Sequence, residues 1–282
     1  MEQLKHSINT GGLKFTAFSK NQKHTFSTYA SAQHIVRNSY YSAYGMTTDF
    51  TGVLGAQYIY HFDKCLFMPA DLTGGIEFNH DNLHDKATDV QKYRDAALAE
   101  DPTATGDRLQ QLIEKYTPAP LNQVVNIASV YAQNEWKNEQ WSFLIGGRVD
   151  KNSIMDKAVF SPRANIRYNP TQDVNIRFSY AEGFRAPQAL DLHISNVGGE
   201  LVSIVRAKGL KEERSRSFNA SVDWYHYFGD FQANLLVEGF YTKLSDPFVL
   251  TPPVKDPDGS AYLIQTRING SGAKVYGGTL EG

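Results

Sequence analysis

Residues 163–185 read Arg-Ala-Asn-Ile-Arg-Tyr-Asn-Pro-Thr-Gln-Asp-Val-Asn-Ile-Arg-Phe-Ser-Tyr-Ala-Glu-Gly-Phe-Arg, two alternating runs around a turn. Ala164, Ile166 and Tyr168 take one side while Arg163, Asn165 and Arg167 take the other. After Asn169-Pro170-Thr171-Gln172, Val174, Ile176, Phe178 and Tyr180 oppose Asn175, Arg177 and Ser179. A period of two over such a length specifies strand, and Asn-Pro ahead of Asp specifies the turn of an antiparallel hairpin. One hairpin does not say whether its apolar face meets protein or lipid.

The rest of the chain bears on that choice. Its 282 residues carry a formal net charge of -2, with no basic run or acidic tail of the kind that binds nucleic acid. Mean hydropathy is below zero, and no stretch approaches the roughly 18 apolar residues of a membrane helix. That excludes a helical membrane protein but not a transmembrane β-barrel, whose strands turn half their side chains to a polar interior. The 16 Tyr and 16 Phe suit the aromatic girdles of such a barrel. Cys65 is the single cysteine, so no intramolecular disulfide forms. Met1–Ser7 lacks the basic and apolar regions of a signal peptide; for an exported protein it would begin a mature form or a fragment, and a fragment is the favoured reading.

Alternation and turn residues predict about twelve strands, at 12–20, 23–38, 50–61, 70–80, 122–137, 140–150, 158–168, 173–185, 213–227, 231–244, 261–268 and 273–282. Leu144, Leu236 and Phe240 fall on the polar side of their strands. Connections near 20–22, 137–140, 169–172, 228–230 and 269–272 are short, whereas those near 39–49, 81–121, 186–212 and 245–260 are long. The stretch near 61–70 is intermediate, and 151–157 is a shorter member of the long set. Alternating lengths gather short turns on one rim and long loops on the other, the pattern of outer-membrane barrels. Trp136, Trp141, Trp224, Tyr225, Tyr227, Phe228 and Phe231 flank short turns, so the short-turn rim is the girdled one. Within 81–121, Leu109, Leu112, Ile113 and Tyr116 follow a helical period, and 86–99 has helical composition.

No phosphate loop, His-Glu-x-x-His, nucleophile elbow or cysteine cluster is present, which argues against an enzyme. His80, Asp81, His84 and Asp85 place four hard or borderline ligands within six residues at the end of a strand. The plainer reading of the same residues is a solvated strand end leading into an acidic loop. His61 with Asp63 and His193 with Asp191 are weaker candidates, and Asp256-Pro257-Asp258-Gly259 reads as a turn.

Several motifs together are similar to one family. Ser129–Trp136, Leu144–Asp150, Ser161–Arg163, Ser179–Pro187, Asp191–Ile194 and Leu210–Ser215 resemble the barrel of TonB-dependent outer-membrane receptors. The likeness is to the siderophore, cobalamin and colicin receptor-like branch of Bacteroides-type bacteria, and it spans most of 50–282. The segment 189–194 is compressed relative to that pattern. The resemblance implies active uptake of a scarce small molecule or metal chelate across the outer membrane of a Gram-negative cell. It implies a plug domain inside the barrel, the TonB complex and outer-membrane lipid as partners, and no cofactor. It also implies 22 strands, about 220 residues at roughly ten per crossing, more than this chain provides. The expectation is therefore an all-β, antiparallel, meandering transmembrane barrel of which 1–282 forms part, without plug or TonB box and with a helical insertion in one loop.

Val174, Ile176, Phe178, Phe218, Val222 and Trp224 should face lipid, and Arg167, Arg177, Asp223 and Glu238 the lumen. The family motif Gly183-Phe184-Arg185-Ala186-Pro187 is expected to be structural, with Arg185 fixing the loop that follows. Ligand contact is expected from the outer ends, at His80, Asp81, His84, Asp85 and His193. A passive porin or structural outer-membrane barrel, and a soluble β-sandwich that binds glycan on its loops, are the alternative readings.

Overall fold

The computed structural model describes residues 3–40, 44–87, 90–117, 120–187, 202–255 and 263–282. The strands are β1 (Gln3–Phe18), β2 (His24–Tyr40), β3 (Tyr44–Cys65), β4 (Met68–Ala87), β5 (Leu121–Lys137), β6 (Trp141–Asn152), β7 (Val159–Thr171) and β8 (Val174–Arg185). They continue as β9 (Val202–Arg206), β10 (Glu213–Phe228), β11 (Phe231–Ser245), β12 (Phe248–Leu250), β13 (Val254–Lys255), β14 (Leu263–Asn269) and β15 (Ala273–Glu281). Helices α1 (Val90–Glu100) and α2 (Gly106–Tyr116) lie between β4 and β5. No helix among the described residues is long and apolar enough to cross a membrane, which says nothing of crossing by strands.

Eleven strands form one sheet in the order β1-β2-β3-β4-β5-β6-β7-β8-β10-β11-β15, and β9, β12, β13 and β14 form a smaller one. The predicted strand at 261–268 exists as β14 but joins the smaller sheet, while β15 pairs directly with β11. At 7 residues, β14 falls short of the roughly 9–11 that a crossing needs. The expected turn at 269–272 is thus the end of one long connection, 246–272. The loop expected at 39–49 shrinks to 41–43, because the Tyr-rich flanks prolong β2 and β3. From β3 onward short and long connections still alternate, but the β2–β3 connection is no longer one of the long set.

Contacts divide the chain into two units. One comprises Met1–Leu13, Tyr29–Leu54 and Asn79–Asn126; the other comprises Lys14–Thr28, Gly55–Phe78 and Ile127–Gly282. In the first, α1 and α2 pack through Ala97, Ala104 and Leu112, with Leu109, Ile113 and Tyr116 against them, as the helical period predicts. Glu100 accepts from Lys115 at 2.7 Å and from the Tyr116 hydroxyl at 2.5 Å. The Lys115 bond, followed by that of Tyr116, holds the Glu100 carboxyl below its ordinary value of 4.5. The tie is complete above that value and fades as pH falls through the lowered one, and solvent screening keeps its contribution small.

The second unit holds the short turns at 19–23, 66–67, 138–140, 172–173 and 229–230. The hairpin at 163–185 turns at Gln172–Asp173, later than the Asn169-Pro170 signal implied. Its register shifts between Tyr168 and Thr171, so Asn169 and Pro170 sit in a bulge. Pro170 has no N–H for the ladder. Asn169 spends its amide on Gln140 O at 2.7 Å and its side chain on Glu139 O at 3.2 Å, which ties the bulge to the neighbouring turn.

Cross-strand partners share a face, so register reveals the two sides of the sheet. One row runs Trp136, Phe143, Ile166, Phe178, Ala220, Gly239, Gly278, and the next Trp141, Tyr168, Ile176, Val222, Val237, Leu280. Between them, on the opposite face, runs Lys137, Ser142, Arg167, Arg177, Ser221, Glu238, Thr279. Leu144 and Phe240 fall in the row of Glu135, Asn165, Ser179 and Asn219, and Leu236 opposite Asp223, as the alternation requires. The apolar face is uncovered: Ile145 is 62% and Phe178 44% exposed. A sandwich would bury that face under a second sheet. The short-turn end carries the expected aromatics, with Trp141 stacked on Tyr168 at 4.1 Å and Phe67 on Trp136 at 5.8 Å.

Two outcomes are expected. Ile176→Arg puts a cation on the apolar face at a cost of about 2–4 kcal/mol in the bilayer, so it should abolish heat-modifiable gel migration of the full-length protein while Asn175→Arg leaves it intact; equal effects contradict the assignment of faces. Leu112→Ala should loosen the helix pair by about 2–5 kcal/mol, read as faster tryptic cleavage at Arg108 or Lys115 with barrel migration unchanged.

Candidate functional site

The four candidate ligands on β4 do not converge. Period two turns His80 and His84 to one side and Asp81 and Asp85 to the other. His80 Nδ1 lies 2.8 Å from Asn126 Oδ1, His84 bonds Asn122, and the His80 ring is 6.2 Å from that of Phe50. Asp85 takes the Thr47 hydroxyl at 2.5 Å and Asp81 that of Thr51 at 3.3 Å. Four residues of strand span about 13 Å, so the two imidazoles cannot share an ion. Among the described residues no three His, Cys, Asp or Glu groups come together as metal ligands. His61 pairs with Asp71 at 2.6 Å instead of with Asp63, which bonds Lys23. His193, Asp191 and the 256–259 turn lie outside the described residues.

An acidic pair appears on the Asp81 side. The Thr51 hydroxyl is 3.3 Å from both Asp49 Oδ2 and Asp81 Oδ2, and Asp49 Oδ1 is shielded from solvent without a hydrogen-bond partner.

The motif at 183–187 builds a junction. Arg185 ends β8 opposite Glu213, the first residue of β10. Arg185 Nη1 donates to Glu213 Oε2 at 3.3 Å, and its guanidinium carbon stands 5.5 Å from the Phe248 ring centre. The other Glu213 oxygen accepts the Phe248 amide. Asn269 completes the junction: Nδ2 donates to Lys211 O at 3.1 Å and to Asp246 O at 2.8 Å, while Oδ1 accepts Lys211 N at 2.9 Å. Ala186 is 4% exposed, which seats the chain as it leaves the strand. Glu213 and Asn269 therefore bind the long connections 186–212 and 246–272 together, and β9 of one lies parallel to β14 of the other. Val249 and Ile268 are paired and remain exposed, as does Leu250, so this platform offers apolar surface beside cations.

Alternation alone missed this junction, because Arg185 and Glu213 are 28 residues apart. It also missed a polar network on the face of Arg167. Arg148 binds Glu77 at 2.8 Å, Asp150 at 2.6 Å and Ser129 at 2.7 Å, and Tyr131 donates to Gln57 at 3.0 Å. Gly75 makes room for it, since a Cβ there would stand 2.4 Å from the Tyr131 ring. The signal available was the alternation that puts Arg148 and Asp150 on one side of β6.

Glu213→Gln should release the junction, with loss of a part-buried charged hydrogen bond worth about 1–3 kcal/mol. The measurement is proteolysis of the full-length protein, with faster cleavage at Lys255 or Arg267 and unchanged heat-modifiable migration; a cleavage rate equal to wild type would contradict the role.

A family model described as TonB dependent receptor-like, beta-barrel, matches residues 3–282. No curated protein sequence matches. Among solved structures, the siderophore receptor PirA from Pseudomonas aeruginosa has 15% identity, with 98% of this chain and 46% of that one covered at a TM-score of 0.70. The alcaligin outer-membrane receptor FauA from Bordetella pertussis has 14% identity, coverage of 99% and 44%, and a TM-score of 0.65. The hemophore receptor HasR of Serratia marcescens, in complex with its hemophore HasA and heme, has 13% identity, coverage of 99% and 46%, and a TM-score of 0.69. Identities this low show the fold alone, and the chain spans less than half the length of each of these structures. These proteins are receptors, not enzymes. With the family model matched across nearly its whole length, the chain belongs to the TonB-dependent receptor β-barrel family.

Proposed function

We propose that residues 1–282 are barrel sequence of a Gram-negative outer-membrane receptor that takes up a scarce nutrient with energy delivered through TonB. The observation that carries this reading is the two-faced sheet, uncovered and apolar on one side and polar on the other, in a chain matched to this family over 3–282. Lipid contacts the rows of Ile166, Ile176, Phe178 and Val222. A plug and a TonB-contacting segment belong to sequence beyond these residues, consistent with the share of solved receptors that the chain covers.

The substrate is a small molecule or metal chelate, of the ferric siderophore, corrinoid or heme type. It is captured at the long-connection end, where the platform of Val249, Leu250 and Ile268 stands beside Arg185. His193 and the β4 residues His80, Asp81, His84 and Asp85 contribute contacts singly, not as one ion site.

The test is calorimetric titration of the full-length receptor with ferric chelates, corrinoids and heme, paired with uptake by cells with and without TonB. Saturable binding of one class, and uptake that disappears without TonB, are expected. Uptake that persists without TonB identifies a passive porin and overturns the proposal, as does failure to bind any of the three classes.

A further inference from the structure

Among the described residues, three cations on the polar face of this sheet have acids: Arg148 has Glu77 and Asp150, Lys137 has Asp71 at 2.6 Å, and Arg185 has Glu213 at 3.3 Å. Arg163 bonds the neutral Gln133, and Arg167 and Arg177 have no acid. They are direct register partners on β7 and β8, and neither forms an ion pair among the described residues. Like charges placed directly opposite on one face repel. Serines, Ser142 and Ser221, flank the pair on both sides.

Neutral acceptors use little of the available donor capacity. Arg167 Nη2 lies 3.5 Å from Asn138 O, its Nε is shielded from solvent with no partner, and Arg177 Nε donates to Asn175 Oδ1 at 2.6 Å. Asn175 is itself held by Asn169 at 2.6 Å, so the local amides are committed to the bulge. What remains is donor capacity on two permanently charged guanidinium groups of register partners, a donor set suited to a carboxylate taken by paired N–H···O bonds.

We propose that Arg167 and Arg177 form a carboxylate-binding site, filled in the whole receptor by an Asp or Glu side chain of polypeptide packed on this face. The inference rests on the reading above, in which the chain is part of a larger receptor. Position favours polypeptide over captured ligand. The pair adjoins the turn at 138–140, and eight strand residues, about 26 Å, separate Arg177 from Arg185 and the long connections. Receptors of this fold also carry more than half of their length outside the part matched here.

The test uses the full-length receptor bearing Arg177→Lys or, separately, Arg167→Lys, each of which keeps the charge and adds an amine. Carbodiimide treatment joins an amine to an adjoining carboxylate, and peptide mass mapping identifies the partner. Lys137 with Asp71 serves as the internal control for coupling, and heat-modifiable migration reports the fold. A new link from position 177 or 167 to an Asp or Glu outside residues 1–282, absent from wild type, is the expected result. Links confined to Glu238, Asp223 or Glu135, or no new link in either variant while Lys137–Asp71 is joined, overturn the site. Added citrate separates the sources: coupling of citrate to the introduced amine in place of a peptide shows a free carboxylate and overturns the polypeptide occupant. Loss of TonB dependence in uptake with the new link intact would overturn the transport reading and leave this site standing.

Discussion

A backbone amide inside hydrocarbon has no water to turn to, so every N–H and C=O at membrane depth must find its partner in the chain. In this protein the antiparallel ladder from β5 to β15 provides those partners, and its register does more than satisfy them. Because side chains alternate, a slip of one residue would carry Ile176 to the polar face and Arg177 to the apolar one. Register therefore has to be fixed before either face has meaning. The bulge at Asn169-Pro170 helps to fix it: it ties the β7–β8 turn to the β5–β6 turn through Gln140 and Glu139, so neighbouring hairpins hold each other in step.

From that constraint the rest follows in order. The apolar rows need no covering layer, and the buried apolar side chains among the described residues are scattered, Leu83, Leu112, Val125 and Val159 among them. Polar rows gather the charged groups, and there the energetics differ, because a guanidinium held by two carboxylates, as Arg148 is, serves as a strut between strands. Strand ends then place the long connections. Arg185 and Glu213 face each other because β8 and β10 pair in one register, and that register brings Phe248 and Asn269 into the same junction. The platform of long connections inherits its geometry from the ladder beneath it.

Much of this was legible in the sequence, for a physical reason: alternation is a local signal, and it reports the two faces wherever strands are long. The run 163–185 disclosed both faces, and even the exceptions Leu144, Leu236 and Phe240 fall where counting puts them. Pairing is not local. Nothing within 261–268 reveals that β14 joins β12, β13 and β9, and strands as short as Val254–Lys255 leave no periodic trace. The turn moved to Gln172–Asp173 because a proline can be absorbed by a bulge as well as by a turn. His80, Asp81, His84 and Asp85 looked like a cluster in sequence, yet the alternation that makes β4 a strand separates them. The Arg185–Glu213 junction was out of reach because its partners meet only after the chain has passed through the 186–212 connection.

The central claim is that successive residues of β8 meet lipid and water in turn. Spin labels placed singly at 174–181 in the full-length protein, reconstituted in bilayers, measure this directly through collision with oxygen, which partitions into lipid, and with a polar nickel complex, which stays in water. The account predicts oxygen maxima at 174, 176, 178 and 180, and nickel maxima at 175, 177, 179 and 181. Accessibility that is uniform along β8, or that varies with any period other than two, would contradict it.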